Sequence, residues 1–176
     1  MQPRVCLAQS RKELEQILEL QQHNLPQILS PGEKVKEGFV TVSHSLDLLE
    51  RMNAVCQHII AKKEGQVIGY ALSMHPDFGN EIEVLKPMFD EVNSSALKDA
   101  KYIVMGQICI AKEYRGSGIF RQLYKAMQEA IQPHFQYIIT EVDAKNLRSL
   151  NAHYAVGFKD LKRYHSGGQD WHLIVL

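Results

Sequence analysis

A buried strand leads through glycines directly into an amphipathic helix between residues 102 and 133, and this stretch constrains the fold more than any other. Residues 102–111, YIVMGQICIA, are apolar and rich in β-branched side chains, as in a strand covered on both faces. From Ile119 the apolar residues recur at helical spacing until Pro133 ends the pattern. The intervening residues 115–118, RGSG, would leave backbone N–H groups unpaired at the positive end of the helix. The turn therefore predicts a phosphate-binding site.

Two familiar phosphate-binding patterns do not fit this turn. The dinucleotide fingerprint GxGxxG lacks its third glycine, because Arg121 stands in that place. A Walker loop needs a lysine after its last glycine, and Ile119 stands there instead. A nucleotide-binding domain remains an alternative, and it would be stabilised by ATP or GTP.

Residues 115–120 resemble the Q/R-x-x-G-x-G/A signature of the GNAT superfamily, the acyl-CoA-dependent N-acyltransferases. The chain departs from that signature at Phe120, where the family usually has Gly or Ala. A second resemblance follows about 30 residues later, after the strand candidate 136–142. It is a helix begun by Asn146, which carries a tyrosine and ends in a Gly-Phe pair at residues 157–158. The two matches occur in the order that the family requires.

The resemblance implies that acetyl-CoA is the co-substrate. In the family the loop amides hold the coenzyme pyrophosphate, and the pantetheine arm lies between the fourth and fifth strands, which splay apart. A backbone amide near Ile108 would face the thioester oxygen, as in an oxyanion hole. The coenzyme-binding residues implied in this chain are Ile108, Cys109, Ile110, Arg115, Gly116, Ser117, Gly118, Ile119, Phe120 and Asn146.

The implied reaction is transfer of an acetyl group to an amine by direct attack in a ternary complex. It needs a base for the amine and a proton donor for the departing thiolate. Some family members use a Glu on the fourth strand as base, but this strand has no carboxylate. Gln107 could orient a water, and Glu141 or Asp143 at the end of the fifth strand could accept a proton. Glu141 and Asp143 are therefore the candidates for the base, and Gln107 is a candidate for positioning a water.

Tyr154 is the candidate proton donor, because it matches the tyrosine of the family helix. It follows Asn146 by eight residues where seven is more usual, and it shares a helical face with Leu147 and Leu150, which also suits a structural ring. An acyl-cysteine route through Cys109 is disfavoured, because no histidine lies close to it in sequence to activate the thiol.

The whole chain predicts a single α/β (α+β) domain over residues 1–176. The resemblance implies a seven-stranded, mixed but mostly antiparallel sheet in the order βααβββαβαββ.

A capping box at Ser10 and Glu13 begins the first helix, and a tight turn at residues 64–65 joins two strands. Phe39 is a possible wall residue of the acceptor site. The remaining elements are expected as strands at 4–8, 55–63, 66–74, 136–142, 158–166 and 169–176, an extended piece at 39–42, and a second helix at 45–53.

Residues 76–101 form an insert that is long for a connection between two strands. Loops of this length are usually either functional lids or mobile segments. We expect the insert to shape the choice of acceptor and not the binding of the coenzyme.

Composition excludes several classes of protein. The chain has 20 Lys plus Arg and 20 Asp plus Glu, without a basic block, which argues against nucleic-acid binding. Its 3 cysteines are far apart and its 8 histidines form no ligand-like pair, so neither disulfides nor a metal is expected. No apolar run approaches the roughly 20 residues that span a bilayer, and a cytoplasmic location is expected.

The acceptor is left open by the sequence, as a small-molecule or peptide amine. A monomer and a homodimer are both compatible with it. The alternative to an enzyme is a non-catalytic CoA-binding module with a regulatory or interaction role, which turnover of acetyl-CoA with a panel of amines would distinguish.

Overall fold

Seven strands form one mixed sheet in the computed structural model, which describes residues 2–25, 32, 40 and 42–176. The strands are β1 Arg4–Leu7, β2 Ile59–Lys63, β3 Gln66–Met74, β4 Tyr102–Ile110, β5 Tyr137–Asp143, β6 Lys159–Ser166 and β7 Gln169–Val175. The α-helices among the described residues are α1 Arg11–Gln22, α2 Leu46–Val55, α3 Lys86–Asn93, α4 Ile119–Ile131 and α5 Leu147–Val156.

The spatial order of the strands is β1-β2-β3-β4-β5-β7-β6. Every neighbouring pair is antiparallel except β4 and β5, which run parallel. The predicted mixed, mostly antiparallel seven-stranded fold is confirmed. Helix α3, which lies within the insert, was not in the predicted order of elements.

Local sequence signals determine most element ends. The Ser10 hydroxyl accepts from the Glu13 amide at 3.3 Å while the Glu13 carboxylate accepts from the Ser10 amide at 3.0 Å, which completes the predicted capping box. Glu64 and Gly65 both have positive φ, at 53° and 84°, as a two-residue hairpin turn requires. The predicted extended piece at residues 39–42 and the wall residue Phe39 lie largely or wholly outside the described residues.

The prediction that a strand begins at residue 55 is wrong. Ser45 caps α2 by accepting from the Leu48 amide at 3.2 Å, and the helix continues through Val55. Strand β2 begins only at Ile59. A capped helix gains one backbone hydrogen bond for each residue added, and this gain overrides the β propensity of a single valine.

The insert packs into the hydrophobic core. It contains two 3₁₀ turns, Pro76–Asn80 and Glu83–Leu85, followed by α3. Pro87 lies in the first turn of α3, where its missing N–H has no helical partner to lose. The apolar side chains that the insert buries are Phe78, Ile82, Leu85, Met88 and Val92. Because each such side chain contributes about 1.5–3 kcal/mol on burial, the segment stabilises the fold.

The sheet carries a layer of helices on each face. Helices α1 and α2 and the insert cover one face, and α4 and α5 cover the other. Among the described residues, no helix has both the length and the apolar character needed to cross a membrane.

Candidate active site

The sheet opens where β4 and β5 part. Their parallel pairing ends at Val104 and Ile139, and the Thr140 hydroxyl then donates to the Met105 carbonyl at 2.8 Å. Beyond this point β5 pairs only with β7, while β4 continues to Ile110 against β3. One edge of β4 is therefore open to a ligand over its last residues, 106–110.

A β-bulge in β4 shapes the opening. Ala71 pairs with Ile108 and Ser73 with Met105, so the single residue Leu72 lies opposite the two residues 106–107. A bulge increases the local twist and turns the bulged strand away from its neighbour. It lies where β4 leaves β5, and we attribute the splay of the two strands to it.

The glycine turn after β4 is shaped for close approach by a ligand. Gly116 and Gly118 have φ of 75° and 83°, a region that L side chains rarely adopt. Gly118 is the N-cap of α4 and provides no side chain to the first N–H groups, and the first turn of α4 has no acidic residue. No side chain of the N-cap therefore competes with an anion for the amides at the start of α4.

Hydrogen bonds of Arg115 and Ser117 hold this turn in place. The Arg115 Nε donates to the Ile110 carbonyl at 2.9 Å, and its Nη2 donates to the Asn24 Oδ1 at 2.7 Å. The Ser117 hydroxyl donates to the Tyr114 carbonyl at 2.5 Å. The side chains of Arg115 and Ser117 thus fix the loop in place.

The opening between the strands and the glycine turn belong to one cleft of about 900 Å³. Helix α4 forms one wall, and one face of α5 forms the other. Nine of the ten residues predicted to bind the coenzyme line this cleft; the remaining one, Ser117, lies within the turn. The lining residues that sequence reasoning missed are Asn24, Val40, Arg121, Arg148, Ser149, Asn151, Ala152, Ala155 and Val156.

Phe120, the departure from the family signature, packs its ring between the two helices. The ring lies edge-on to Tyr124 at 5.2 Å and to His153 at 5.1 Å, measured between ring centroids. The backbone of α4 therefore keeps its place at the cleft, because the bulky side chain is accommodated by the layer beneath.

His153 lines a second, smaller cavity of about 60 Å³ between β4 and β5. Its Nδ1 lies 2.7 Å from the Ser149 carbonyl and must carry the proton, so its Nε2 accepts from the Tyr124 hydroxyl at 2.7 Å. Burial lowers the pKa of His153 to about 4. The ring is therefore neutral and joins α4 to α5 across the back of the cleft.

Tyr154 does not line either cavity. Its hydroxyl donates to the Asp160 Oδ1 at 2.5 Å and lies 3.2 Å from the His172 Nδ1. Burial and this hydrogen bond raise the pKa of the phenol. The residue that lies seven after Asn146 is His153, so the extra residue in the spacing turns Tyr154 to the neighbouring face of α5, toward β6 and β7.

Gln107 has a buried side chain that is held on three sides. Its Oε1 accepts from Gln21 at 2.7 Å and from the Tyr70 hydroxyl at 2.6 Å, and its Nε2 donates to the Val42 carbonyl at 2.7 Å. These bonds join α1, β3 and the segment before α2 to the bulge of β4. A water oriented by Gln107 would need the one remaining N–H of this amide.

Glu141 lines the small cavity on β5. Burial raises its pKa to about 7, although a hydrogen bond from the Tyr164 hydroxyl partly opposes the shift. Asp143 lines the same cavity, and its Oδ1 accepts from the Lys145 amide at 2.8 Å. A carboxyl group with a pKa near 7 can exchange a proton near neutral pH, as a general base must.

The thiol of Cys109 is poorly suited to act as a nucleophile. It is buried beside the cleft, and burial raises its pKa to about 12. Among the residues that the structure describes, no three His, Cys, Asp or Glu side chains are arranged as metal ligands.

Fold and site together define a class of protein: a mixed α/β sheet whose parted parallel strands and glycine turn line one cleft. The chain belongs to the acetyltransferase (GNAT) family, whose model matches residues 14–158. No curated protein matches the sequence.

Solved structures share the fold at low sequence identity. The ribosomal-protein-S18-alanine N-acetyltransferase from Escherichia coli is 11% identical, with a TM-score of 0.65 over 99% of this chain and 93% of that one. YncA from Salmonella typhimurium, solved with its cofactor acetyl-CoA, is 12% identical, with a TM-score of 0.67 over 100% and 94%. The ribosomal-protein-alanine N-acetyltransferase from Brucella melitensis is 19% identical, with a TM-score of 0.63 over 98% of each chain.

The buried histidines make the stability of the protein depend on pH. Burial lowers the pKa of His44, His58 and His153 from 6.5 to about 4, so each takes up a proton on unfolding between these values. Glu141, with a pKa raised from 4.5 to about 7, instead releases one proton on unfolding. Near pH 5.5 the net uptake is three minus one, or about two protons, and the free energy of unfolding should fall by roughly 2.7 kcal/mol per unit decrease in pH.

Urea unfolding at intervals from pH 4.5 to 6.5 measures this slope. The Glu141→Gln variant removes the opposing group, and its slope should rise toward three protons. A stability that is flat in this range, or that increases on acidification, would contradict the assignment of neutral buried histidines.

Proposed function

We propose that this protein transfers an acetyl group from acetyl-CoA to an amine of a small molecule or peptide. The observation that carries the proposal is the continuous cleft from the glycine turn of α4 to the opening between β4 and β5. A coenzyme that fills it would have its anionic end on the helix amides and its thioester at the open edge of β4. Membership of the acetyltransferase family supports the same assignment.

Backbone groups provide most of the coenzyme contacts in this proposal. The amides of the glycine turn and of residues 118–120 bind the pyrophosphate, and the edge of β4 at residues 108–110 binds the pantetheine arm. Asn146, which caps α5 and lines both cavities, lies on the opposite side of the arm. An amide near Ile108 stabilises the oxyanion as the amine attacks the thioester carbonyl.

Among the predicted candidates, we assign the role of base to Glu141. Its carboxylate lines the small cavity at the end of the opening, and its pKa near 7 allows it to take the amine proton directly or through a water. Gln107 holds the bulge from which the oxyanion amide projects. Tyr154 could protonate the departing thiolate only after its hydroxyl left Asp160.

Two measurements test the proposal. Acetyl-CoA titrated into the protein in a calorimeter should bind, and addition of a broad panel of amines should then release free CoA thiol. Binding without turnover of any amine would favour the alternative, a non-catalytic CoA-binding module. The absence of binding to any acyl-CoA would overturn the proposal, and stabilisation by ATP or GTP in its place would indicate a nucleotide-binding domain.

A further inference from the structure

Arg148 occupies a position that helix energetics disfavours. It is the second residue of α5, at the positive end of the helix dipole, where a cation is repelled and an anion is stabilised. The first turn of α5 contains no acidic residue to compensate. The side chain is exposed, lines the cleft, and has no hydrogen bond or ion pair with any residue that the structure describes. Proteins keep such an unfavourable charge chiefly at functional sites, where a bound ligand of opposite charge can compensate it.

Arg121 lines the same cleft from α4, the opposite wall. It is the third residue of α4, and its Nη2 donates to the Ala155 carbonyl of α5 at 2.9 Å. Ala155 and Arg148 are seven residues apart, which places them on the same face of α5. The two guanidinium groups thus belong to the same cleft, and none of the residues described as lining it is a carboxylate. The cleft therefore has an excess of positive charge, although the chain as a whole has no net charge.

Coenzyme A has two separate anionic groups, the pyrophosphate and the 3′-phosphate of its ribose. Backbone amides and the start of α4 suit the pyrophosphate without help from a charged side chain. The 3′-phosphate is a monoester that carries nearly two charges at neutral pH, and a guanidinium can bind it through two parallel hydrogen bonds. We propose that Arg148, assisted by Arg121, binds this 3′-phosphate and makes the protein selective for coenzyme A over its 3′-dephospho form.

The proposal rests on the proposed function, and a comparison of two ligands tests it separately. Dissociation constants for acetyl-CoA and 3′-dephospho-acetyl-CoA are measured by calorimetry at one fixed ionic strength. Wild-type protein should bind acetyl-CoA at least about tenfold more tightly, as expected for hydrogen bonds between charged groups. The Arg148→Gln variant should lose most of this preference, while its affinity for the dephospho form changes by less than about twofold. Arg121→Gln should give a smaller loss in the same direction.

Lys125→Gln is the matched control. Lys125 is exposed on α4, pairs with Glu129 at 3.9 Å and does not line the cleft, so this variant removes the same charge from outside the site. Its preference for acetyl-CoA should equal that of the wild type. An equal loss in the control would mean general electrostatic attraction and overturn the assignment. The assignment would also be overturned if Arg148→Gln lost affinity for acetyl-CoA and for the dephospho form by the same factor.

The binding data for wild-type protein distinguish failure of the Arg148 assignment from failure of the proposed function. If wild-type protein binds both ligands with the same affinity, the role of Arg148 is wrong while the proposed function stands. If it binds neither ligand, the proposed function fails and the assignment of Arg148 fails with it.

Discussion

Replacement of Gly118 by aspartate should abolish the binding of acetyl-CoA. The residue has a φ of 83° and is the N-cap of α4, so its neighbouring amides face the cleft. An aspartate adds a negative charge where the pyrophosphate is expected, and we predict a loss of affinity greater than about 100-fold, equivalent to roughly 2.7 kcal/mol. Thermal unfolding with and without ligand measures it, because acetyl-CoA at 100 times its dissociation constant should stabilise the wild type by about 2.7 kcal/mol.

Gly118→Asn separates charge from shape. Asparagine is nearly the same size as aspartate and also tolerates a positive φ, but it is neutral. A Cβ at this position meets only the flexible end of Gln122, at 3.9 Å, so neither variant should disturb the packing. We expect the asparagine variant to lose no more than about tenfold in affinity, in keeping with one weakened hydrogen bond. If the two variants bind acetyl-CoA equally well, the loop amides do not hold a phosphate.

Replacement of Glu141 by glutamine should lower kcat by roughly 10²- to 10⁴-fold, the range typical of a lost general base. The substitution keeps the shape of the side chain and its acceptor for the Tyr164 hydroxyl, so the protein should fold and bind acetyl-CoA as before. Single-turnover measurements establish that the chemical step is being observed. A fall of less than threefold in that step would remove Glu141 from the mechanism.

The pH dependence of kcat provides a second test of Glu141 as the base. A base must be deprotonated to act, so kcat should rise with pH through the raised pKa of about 7. The Tyr164 hydroxyl donates to the carboxylate and stabilises its charged form, and Tyr164→Phe removes this donor. The rising limb should therefore move to higher pH in that variant. A limb that stays in place would assign the titration to another group.

The insert shows where a length argument is insufficient. Residues 76–101 are long for a connection between strands, which suggested either a functional lid or a mobile segment. The structure buries Phe78, Met88 and Val92 of this segment in the main core, and Glu91 pairs with Lys162 of β6. An influence on acceptor choice remains our expectation, but replacement of the segment by a short turn would expose core and destabilise the fold. Point variants on its exposed surface are therefore the better probe.

The sequence by itself determined the elements whose signals are local. Composition and apolar periodicity were sufficient to predict the strand, the glycine turn and the helix at residues 102–131. The capping box at Ser10, the hairpin turn at residues 64–65 and the N-cap at Asn146 also lie where the sequence predicted them. Each depends on contacts between residues a few positions apart, so reading along the chain is sufficient. The start of β2 was misplaced because two local preferences competed at Val55.

Only the tertiary structure decided which side chains share the site. Tyr154 was chosen because it resembles the tyrosine of the family helix. A single extra residue rotates a helical side chain by about 100°, however, and His153 is the residue that lines the small cavity. Arg121 and Arg148 are 27 positions apart and line the same cleft only because α4 and α5 pack side by side. The raised pKa of Glu141 likewise arises from burial among strands distant in sequence. Burial and proximity of this kind are properties of packing, which no local pattern encodes.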